Sequence, residues 1–272
     1  MSEMTTYRWT FEEDVLAYRT LGLEAIGVWR QKLDDYGVER GAELLREQGL
    51  TASSLSYAGG FTGADGHSFQ DSLDDALDAV RIAGEIQAES LILVSGARAG
   101  HTTNHARRLL RDALNCLGDA AAEVGVQIAL LPLQNSFGNH WTFLNSTDSA
   151  LAVLQQCDHT HIGMALDLFQ WGRDASLIGK LPQLAPWVKT VLVSDSPNTP
   201  QNDHDRCLPG EGVIPLGNLL TTLEGAGYSG WHEMQLISER LWQSDPLPLI
   251  ERSASAFRAL WPPRQPACPT NS

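Results

Sequence analysis

The sequence predicts a single-domain (β/α)8 TIM barrel of the α/β class, and three observations lead to that prediction. Short apolar runs recur along the 272 residues, with segments of helical periodicity between them. These runs are almost continuously apolar, which is typical of strands covered on both faces in a parallel sheet. The length suits one barrel of this kind, which takes about 250 residues. An open doubly wound sheet is the alternative, but no Gly-x-Gly-x-x-Gly pattern follows a strand.

Seven strands are predicted directly from the apolar runs. They lie at 25–29, 52–56, 90–95, 126–133, 162–167, 188–194 and 231–237. The run at 128–133 (IALLPL) is the clearest, since both of its faces must be buried. A short eighth strand is expected at 5–10, first in the chain, because the barrel needs eight.

Helices are predicted where apolar residues repeat three and four positions apart. One is expected at 11–21, and others follow at 71–87, 104–124 and 247–260. The prolines after Trp261 cannot continue a helix. We therefore expect the barrel to span residues 1–261 and an extended or disordered tail to span 262–272.

The charge balance limits the kinds of partner. There are 33 acidic and 19 basic residues, for a net charge of −14. Such a surface repels phosphates and anionic lipids, so neither nucleic acid nor a membrane is an expected partner. A small-molecule ligand and a homodimer are the default expectations.

The cysteines and the amino terminus indicate a cytoplasmic protein. Cys116, Cys157, Cys207 and Cys268 lie far apart in the sequence and are expected to be free thiols, as in a reducing compartment. Residues 1–4 (MSEM) carry an acid and lead into no apolar run, so a leader is not expected, and no apolar run approaches the roughly 20 residues of a membrane span.

Chemistry in such a barrel takes place at the carboxyl ends of the strands and in the loops that follow them. The side chains at these ends are Trp29, Arg30, Tyr57, Ser95, Gln134, Asp167, Gln170, Asp195 and Gln235. The long polar loop after 188–194 is expected to cover the pocket and to contribute His204 or Arg206. The cluster at 158–161 (DHTH) precedes a strand, which places it on the opposite face.

Several segments resemble the sugar phosphate isomerase/epimerase family of xylose isomerase-like barrels. The opening GLEAIGVWR at 22–30 is similar to that of the family, IALLPLQ at 128–134 resembles its "LALEPLHP", and ALDLFQ at 165–170 resembles its "VDxYH". LVSD at 192–195 resembles "HVCD", PGEGVI at 209–214 resembles "MGDGVI", and EMQLISE at 233–239 resembles "EVEIFNE". The likeness runs in order over about residues 8–260.

The resemblance implies a metal site that has largely been lost. Members of the family hold one Mn, Mg or Zn ion with Glu, Asp, His and Glu, which fall here on Leu131, Asp167, Leu192 and Gln235. Leucine has no lone pair to give a cation. No metal or other cofactor is therefore predicted. A shifted metal site that uses Asp167, Asp195, His204 or Glu239 is the alternative.

By resemblance, the chain is predicted to act in carbohydrate metabolism on a small polyhydroxylated substrate, as an isomerase or epimerase. The predicted catalytic residues are Asp167 as base, with Asp195 and His204. The predicted substrate-binding residues are Trp29, Arg30, Gln134, Gln170, Arg206, Gln235 and Glu239. The aromatic residues Trp9, Trp29, Phe169 and Trp171 are candidates for stacking on a sugar.

Whether the chain is an enzyme stays open at this point. The alternative is a non-catalytic descendant that binds a small molecule or a partner protein, since three ligand positions are substituted together. The DNA-repair branch of the same fold is disfavoured, because it needs a metal cluster and a basic groove.

Overall fold

The computed structural model describes residues 1–157 and 159–261 and shows the predicted parallel barrel. Within these ranges seven parallel strands pair in sequence order. They are β1 (Ala25–Trp29), β2 (Thr51–Gly59), β3 (Ser90–Val94), β4 (Gln127–Leu130), β5 (Ile162–Asp167), β6 (Val188–Val193) and β7 (His232–Met234). Each overlaps a predicted strand, and β4 and β7 end several residues earlier than expected.

The amino-terminal residues lie between the first and last strands. The Ser2 amide donates to the Met234 carbonyl at 2.8 Å, and the Gly27 amide donates to the Met1 carbonyl at 2.9 Å. Met1 and Ser2 thus join β7 to β1 in the eighth position of the barrel. The predicted strand at 5–10 is wrong, because a 3-10 helix (Glu3–Thr6) capped by the Ser2 hydroxyl turns the chain there.

The helices surround the sheet and alternate with its strands. They are α1 (Phe11–Thr20), α2 (Arg30–Tyr36), α3 (Val38–Gln48), α4 (Phe69–Glu85), α5 (Thr103–Val124), α6 (Asn135–Gly138), α7 (Thr147–Leu154), α8 (Leu168–Trp171), α9 (Leu177–Leu184), α10 (Leu216–Gly225) and α11 (Pro246–Leu260). Two further 3-10 turns lie at Ala185–Trp187 and Leu241–Gln243. The predicted helices at 11–21, 71–87, 104–124 and 247–260 correspond to α1, α4, α5 and α11.

Local sequence sets the starts of several of these helices. The hydroxyl of Thr10 accepts from the Glu13 amide, and the Glu13 carboxylate accepts from the Thr10 amide. Ser68 and Asp71 form the same reciprocal pair at the start of α4. Such a capping box satisfies amide groups that have no partner inside the first turn.

The core has two layers. A large cluster of buried side chains fills the space between the sheet and the helices. A second, smaller cluster fills the interior of the barrel and consists of Ile92, Val94, Ala129, Leu131, Leu133, Ala165 and Leu192. The interior of the barrel is therefore apolar.

A buried polar cluster fastens the amino-terminal segment to α1 and α2. The Trp29 amide donates to Glu3 Oε2 at 2.7 Å, and Lys32 Nζ lies 2.6 Å from Asp14 Oδ2. Both carboxylates are fully buried. Burial raises the pKa of Glu3 well above its ordinary value, and the neighbouring Asp14 carboxylate raises it further.

Other expectations have mixed outcomes. Cys116, Cys157 and Cys207 are free thiols, while Cys268 and the predicted tail at 262–272 lie outside the described residues. Asp158 lies outside them too, and its neighbours His159 and His161 precede β5, on the face predicted. No helix in the described part of the chain is long and apolar enough to cross a bilayer.

Candidate active site at the carboxyl ends of the strands

A cavity of about 280 Å³ opens at the carboxyl ends of the strands. Leu131 follows β4 and Asp167 is the last residue of β5, so both side chains reach the cavity from strand ends. The loop after β6 supplies Asp203, His204 and Arg206 to its wall. The cavity thus combines an apolar floor with charged groups that come mainly from one loop.

Asp167 and Arg206 form a buried ion pair in the wall of this cavity. Arg206 Nη2 lies 2.7 Å from Asp167 Oδ2, and Nη1 lies 3.1 Å from Oδ1. Arg206 is 4% exposed and Asp167 is 1% exposed. The guanidinium also lies over the ring of Phe169, 4.8 Å from its centroid. The fork of Arg206 is therefore held on two sides, by a carboxylate and by an aromatic face.

The remaining hydrogen bonds of Arg206 define what it can offer a ligand. Its Nη1 also donates to the Ser194 hydroxyl at 3.4 Å, and Nε donates to the Asp203 carbonyl at 3.3 Å. A guanidinium carries five N–H donors, and the bonds to the described residues use four of them. One N–H of Nη2 is left for an oxygen of a ligand in the cavity.

Asp195, a predicted catalytic residue, organises the loop that carries Arg206. Its carboxylate accepts four backbone amides, those of Ser196, Gly210, Gly212 and Ile214, at 2.8–3.1 Å. Its own amide and carbonyl pair with those of Cys207, the residue after Arg206. Asp195 is buried and does not line the cavity. Its contacts therefore position Arg206 and leave no free oxygen for substrate.

Gln235 lies beneath the cavity wall and supports Tyr57. Its Nε2 donates to the Tyr57 hydroxyl at 3.3 Å. Burial raises the pKa of Tyr57 to about 12, so this hydroxyl stays protonated at neutral pH and can donate a hydrogen bond. Gln235 Oε1 is buried and has no hydrogen-bond partner among the described residues.

His204 lies at the entrance of the cavity, between two carboxylates. Its Nε2 is 3.8 Å from Asp203 Oδ1, and its Nδ1 is 3.8 Å from Glu239 Oε1. The ring packs edge-on against Trp242, with 5.6 Å between centroids. His204 is 41% exposed, so it can exchange protons with solvent. Glu239 is largely exposed and acts on the cavity only through this histidine.

Of three further predicted binding residues, Gln170 and Gln134 belong to the cavity and its support, whereas Arg30 lies away from it. Gln170 lines the cavity, and its Oε1 accepts the Gln134 amide at 3.1 Å. The Gln134 side chain in turn donates to the Gln170 carbonyl, so Gln134 orients Gln170 from behind. Arg30 does not reach the cavity, because Asp75 and Asp78 of α4 bind it at 2.9 and 3.4 Å.

Aromatic side chains form much of the cavity wall. They are Tyr7, Trp29, Tyr57, Trp141 and Trp242. Trp29 and Tyr57 stand at strand ends, where the sequence predicted them. Tyr7 and Trp141 come from irregular segments and Trp242 comes from a 3-10 turn, and no periodic signal in the sequence could have located them.

The remaining aromatic candidates have other contacts. Trp9 lines a separate cavity beside Lys32. Phe169 supports Arg206 from below, and Trp171 is buried and donates from Nε1 to the Pro132 carbonyl at 3.3 Å. None of the three lines the main cavity.

The side chains present do not fit a divalent cation. Leu131 and Leu192 have no donor atom, Gln235 offers only a neutral amide, and both oxygens of Asp167 are bound by Arg206. Across residues 1–157 and 159–261, no three His, Cys, Asp or Glu side chains converge closely enough to hold a metal ion. The carboxylates proposed for a shifted site are no exception, since Asp195 is saturated by amides and Glu239 is exposed.

A comparison with known families matches residues 15–260 to the model of the xylose isomerase-like TIM barrel. The chain is 23% identical over 261 residues to a 3-dehydroshikimate dehydratase of Pseudomonas putida, covering 92% of this chain but only 39% of that protein's length. It is 24% identical over 217 residues to fructoselysine 3-epimerase of Shigella flexneri, covering 79% of this chain and 75% of the relative.

Solved structures share the fold. The IOLI protein, crystallised with a bound zinc atom, superposes with a TM-score of 0.83 at 19% identity and covers 96% of both chains.

Proposed function

We propose that this chain, which belongs to the xylose isomerase-like TIM barrel family, is an isomerase or epimerase that acts on a small polyhydroxylated substrate. It moves a proton at the carbon beside the carbonyl group of that substrate, and it does so without a divalent metal. The observation that carries the proposal is the buried pair of Asp167 and Arg206 in the wall of the cavity. The pair places a guanidinium beside Asp167, which is the one of the four metal-ligand positions implied by the resemblance that keeps its residue type. The fructoselysine epimerase among the relatives supports the reaction class.

The reaction needs a positive group at the carbonyl oxygen. Removing a proton from the carbon beside a carbonyl leaves negative charge on that oxygen, and an enzyme must stabilise this charge. The unused N–H of Arg206 Nη2 can donate to it. The neutral Tyr57 hydroxyl donates to Met4 Sδ at 3.7 Å, and it can exchange this weak acceptor for a substrate oxygen to become a second donor from the same wall. Arg206 is buried and Tyr57 is half-buried, which strengthens their effect on a developing charge.

His204 is the group we assign to proton transfer. It lines the cavity, has access to solvent, and lies 3.8 Å from both the Asp203 and the Glu239 carboxylates. Asp167 cannot serve as the base while Arg206 holds both of its oxygens. Asp167 and Asp195 thus become positioning residues for Arg206.

Hydrogen exchange at carbon tests this assignment without knowledge of the product. Ketoses and inososes incubated with the protein in D₂O should gain deuterium beside the carbonyl, as seen by NMR. His204→Gln should reduce the rate at least about 100-fold, as for loss of a general base. His67→Gln, at an exposed histidine outside the cavity, should leave it unchanged. Exchange that survives His204→Gln would contradict the assignment.

Metal independence has a separate test. Chelated and dialysed protein should keep its exchange activity, and elemental analysis should find far less than one Mn or Zn per chain. The combined substitution Leu131→Glu, Leu192→His and Gln235→Glu should still bind Mn²⁺ poorly, because Arg206 occupies Asp167. Adding Arg206→Ala should increase the affinity measured by calorimetry. Stoichiometric metal that resists chelation in the unmodified protein would overturn this part of the proposal.

A non-catalytic ligand-binding protein is the second candidate. The engagement of both Asp167 oxygens favours it, since the strand-end carboxylate is then unavailable for chemistry. A sugar that raises the melting temperature but gains no deuterium would support this candidate over the enzyme.

A further inference from the structure

A second cavity adjoins the first on the same face of the barrel. It has a volume of about 500 Å³ and lies over the carboxyl ends of β2 and β3, where Gly59, Gly60 and Gly96 line it. Tyr57, Val94 and Trp141 contribute to the walls of both cavities. The two spaces are thus neighbours that share three lining residues, two of them aromatic.

The dividing aromatic rings suit a ligand on either side. The Trp141 indole is 45% exposed, and its ring centroid lies 6.4 Å from that of Tyr57. Aromatic faces pack well against the apolar faces of flat rings, and tryptophan combines large contact area with one polar N–H. Because this indole is exposed at the mouth of the cavity, a ligand that covers it would remove apolar surface from water.

The floor of the second cavity is backbone. A side chain at Gly59 would place its Cβ 1.9 Å from the Val94 carbonyl oxygen, and one at Gly96 would lie 3.0 Å from Gly60 Cα. Gly60 and Gly96 also have positive φ, at 86° and 82°. These loops therefore pack main chain on main chain, and no side chain at these positions fills the space above them.

The charges of the second cavity favour an uncharged occupant over an anionic one. The carboxylates of Asp65 and Asp75 line it, none of its described lining residues is Lys or Arg, and His140 is the one basic side chain among them. Arg30 pairs with Asp75 at 2.9 Å, which leaves the Asp65 carboxylate as the main charge. A phosphate or carboxylate there would meet this negative charge without a lysine or arginine to bind it.

We propose that the substrate has two parts: a polyol ring that reacts beside Arg206 in the first cavity, and a second, uncharged ring that lies in the cavity over β2 and β3. The proposal rests on the proposed function and names its substrate class as a glycoside-like molecule. The first cavity, at about 280 Å³, is at the lower limit of small-molecule sites, which suits a single ring. The second ring adds contact area on the other face of the Trp141 and Tyr57 wall.

Calorimetry with matched sugars tests the proposal. Fructose is compared with lactulose and glucose with cellobiose, and fructose 6-phosphate serves as the anionic probe. Each disaccharide should bind at least about tenfold more tightly than its monosaccharide, which corresponds to about 1.4 kcal/mol. The phosphate should give no gain over fructose.

A variant that fills the second cavity separates the two parts. Ala64→Trp adds bulk at an exposed residue that lines only that cavity. It should abolish the advantage of the disaccharides and leave monosaccharide binding within about twofold. Ala122→Trp, on the exposed side of α5 near the opposite face, is the matched control and should change neither.

The outcomes are distinguishable. Equal affinity for mono- and disaccharides, or a disaccharide advantage that survives Ala64→Trp, would overturn this inference alone. Tighter binding of fructose 6-phosphate than of lactulose would overturn the uncharged second ring. Failure of every sugar to bind would overturn the proposed function together with this inference.

Discussion

The ion pair between Asp167 and Arg206 should be worth several kcal/mol when either partner is removed alone. Arg206→Met keeps most of the stem but leaves a carboxylate that is 1% exposed without its counter-charge. Asp167→Asn leaves a guanidinium that is 4% exposed without a counter-charge, because the amide oxygen of the introduced asparagine, the Ser194 hydroxyl, the Asp203 carbonyl and the Phe169 ring are all neutral. Breaking a buried pair in this way costs about 3–5 kcal/mol. For a chain of this size we expect the melting temperature to fall by roughly 6–20 °C.

The double variant carries the diagnostic information. With Arg206→Met and Asp167→Asn together, no buried charge is left uncompensated. Its cost should be about 1–3 kcal/mol, well below the sum of the two single variants. Urea unfolding followed by the fluorescence of the eight tryptophans measures all three free energies.

A surface pair provides the control for this cycle. Lys180 and Asp148 lie 2.8 Å apart but are 34% and 64% exposed. Lys180→Met should cost no more than about 1 kcal/mol, as for exposed pairs generally. The reasoning fails if Arg206→Met costs as little as this control, or if the double variant costs the full sum of the singles.

Three further predictions concern stability. The pKa of Glu3 is raised in the folded protein, so the folded state keeps a proton on this carboxyl that the unfolded chain releases. The protein therefore loses stability as pH rises above the ordinary pKa of a glutamate. Glu3→Gln should flatten this decline, which urea unfolding between pH 4 and 8 measures. Burial lowers the pKa of His232 to about 4, so the folded protein loses stability as pH falls below the ordinary histidine value of about 6.5. At pH 5, His232→Phe should raise the free energy of unfolding by about 2 kcal/mol. No gain at that pH would refute this prediction. Gly212→Ala places a Cβ 2.3 Å from Asp195 Oδ1 and should speed hydrogen exchange across 196–214 by mass spectrometry, whereas Gly179→Ala, with no atom near its Cβ, should not.

The sequence predicted the barrel because its signals are local. Apolar runs and helical stripes lie within single elements, and so do the capping pairs of α1 and α4. The strand-end rule also identified Asp167 and the loop that carries Arg206. The eighth position was misplaced because two residues, Met1 and Ser2, fill it, and a segment so short has no periodicity to detect.

The interactions that give the site its chemistry could not be predicted in the same way. Asp167 and Arg206 are 39 residues apart, and nothing in either local pattern indicates that the two charges neutralise one another. The four amides on Asp195 depend on the return path of a loop, which sequence spacing does not reveal. Trp141 reaches the cavity from an irregular segment and Trp242 from a short 3-10 turn, neither of which has a periodic pattern. Arg30 has the right position at a strand end, but the carboxylates of α4 bind it first.

The anchoring of the loop after β6 has a consequence for how this barrel can change its ligand. Asp195 ties down residues 196, 210, 212 and 214, and its main chain pairs with Cys207. Residues 197–204 are thus suspended between fixed ends, since Asp205 pairs with Ser238, and they include Asp203 and His204, which line the cavity. Substitutions within this suspended stretch can retune recognition while the frame that holds it keeps its shape. A library restricted to the seven positions 197–203, which keeps His204 for proton transfer, would sample new specificities in a scaffold that still folds.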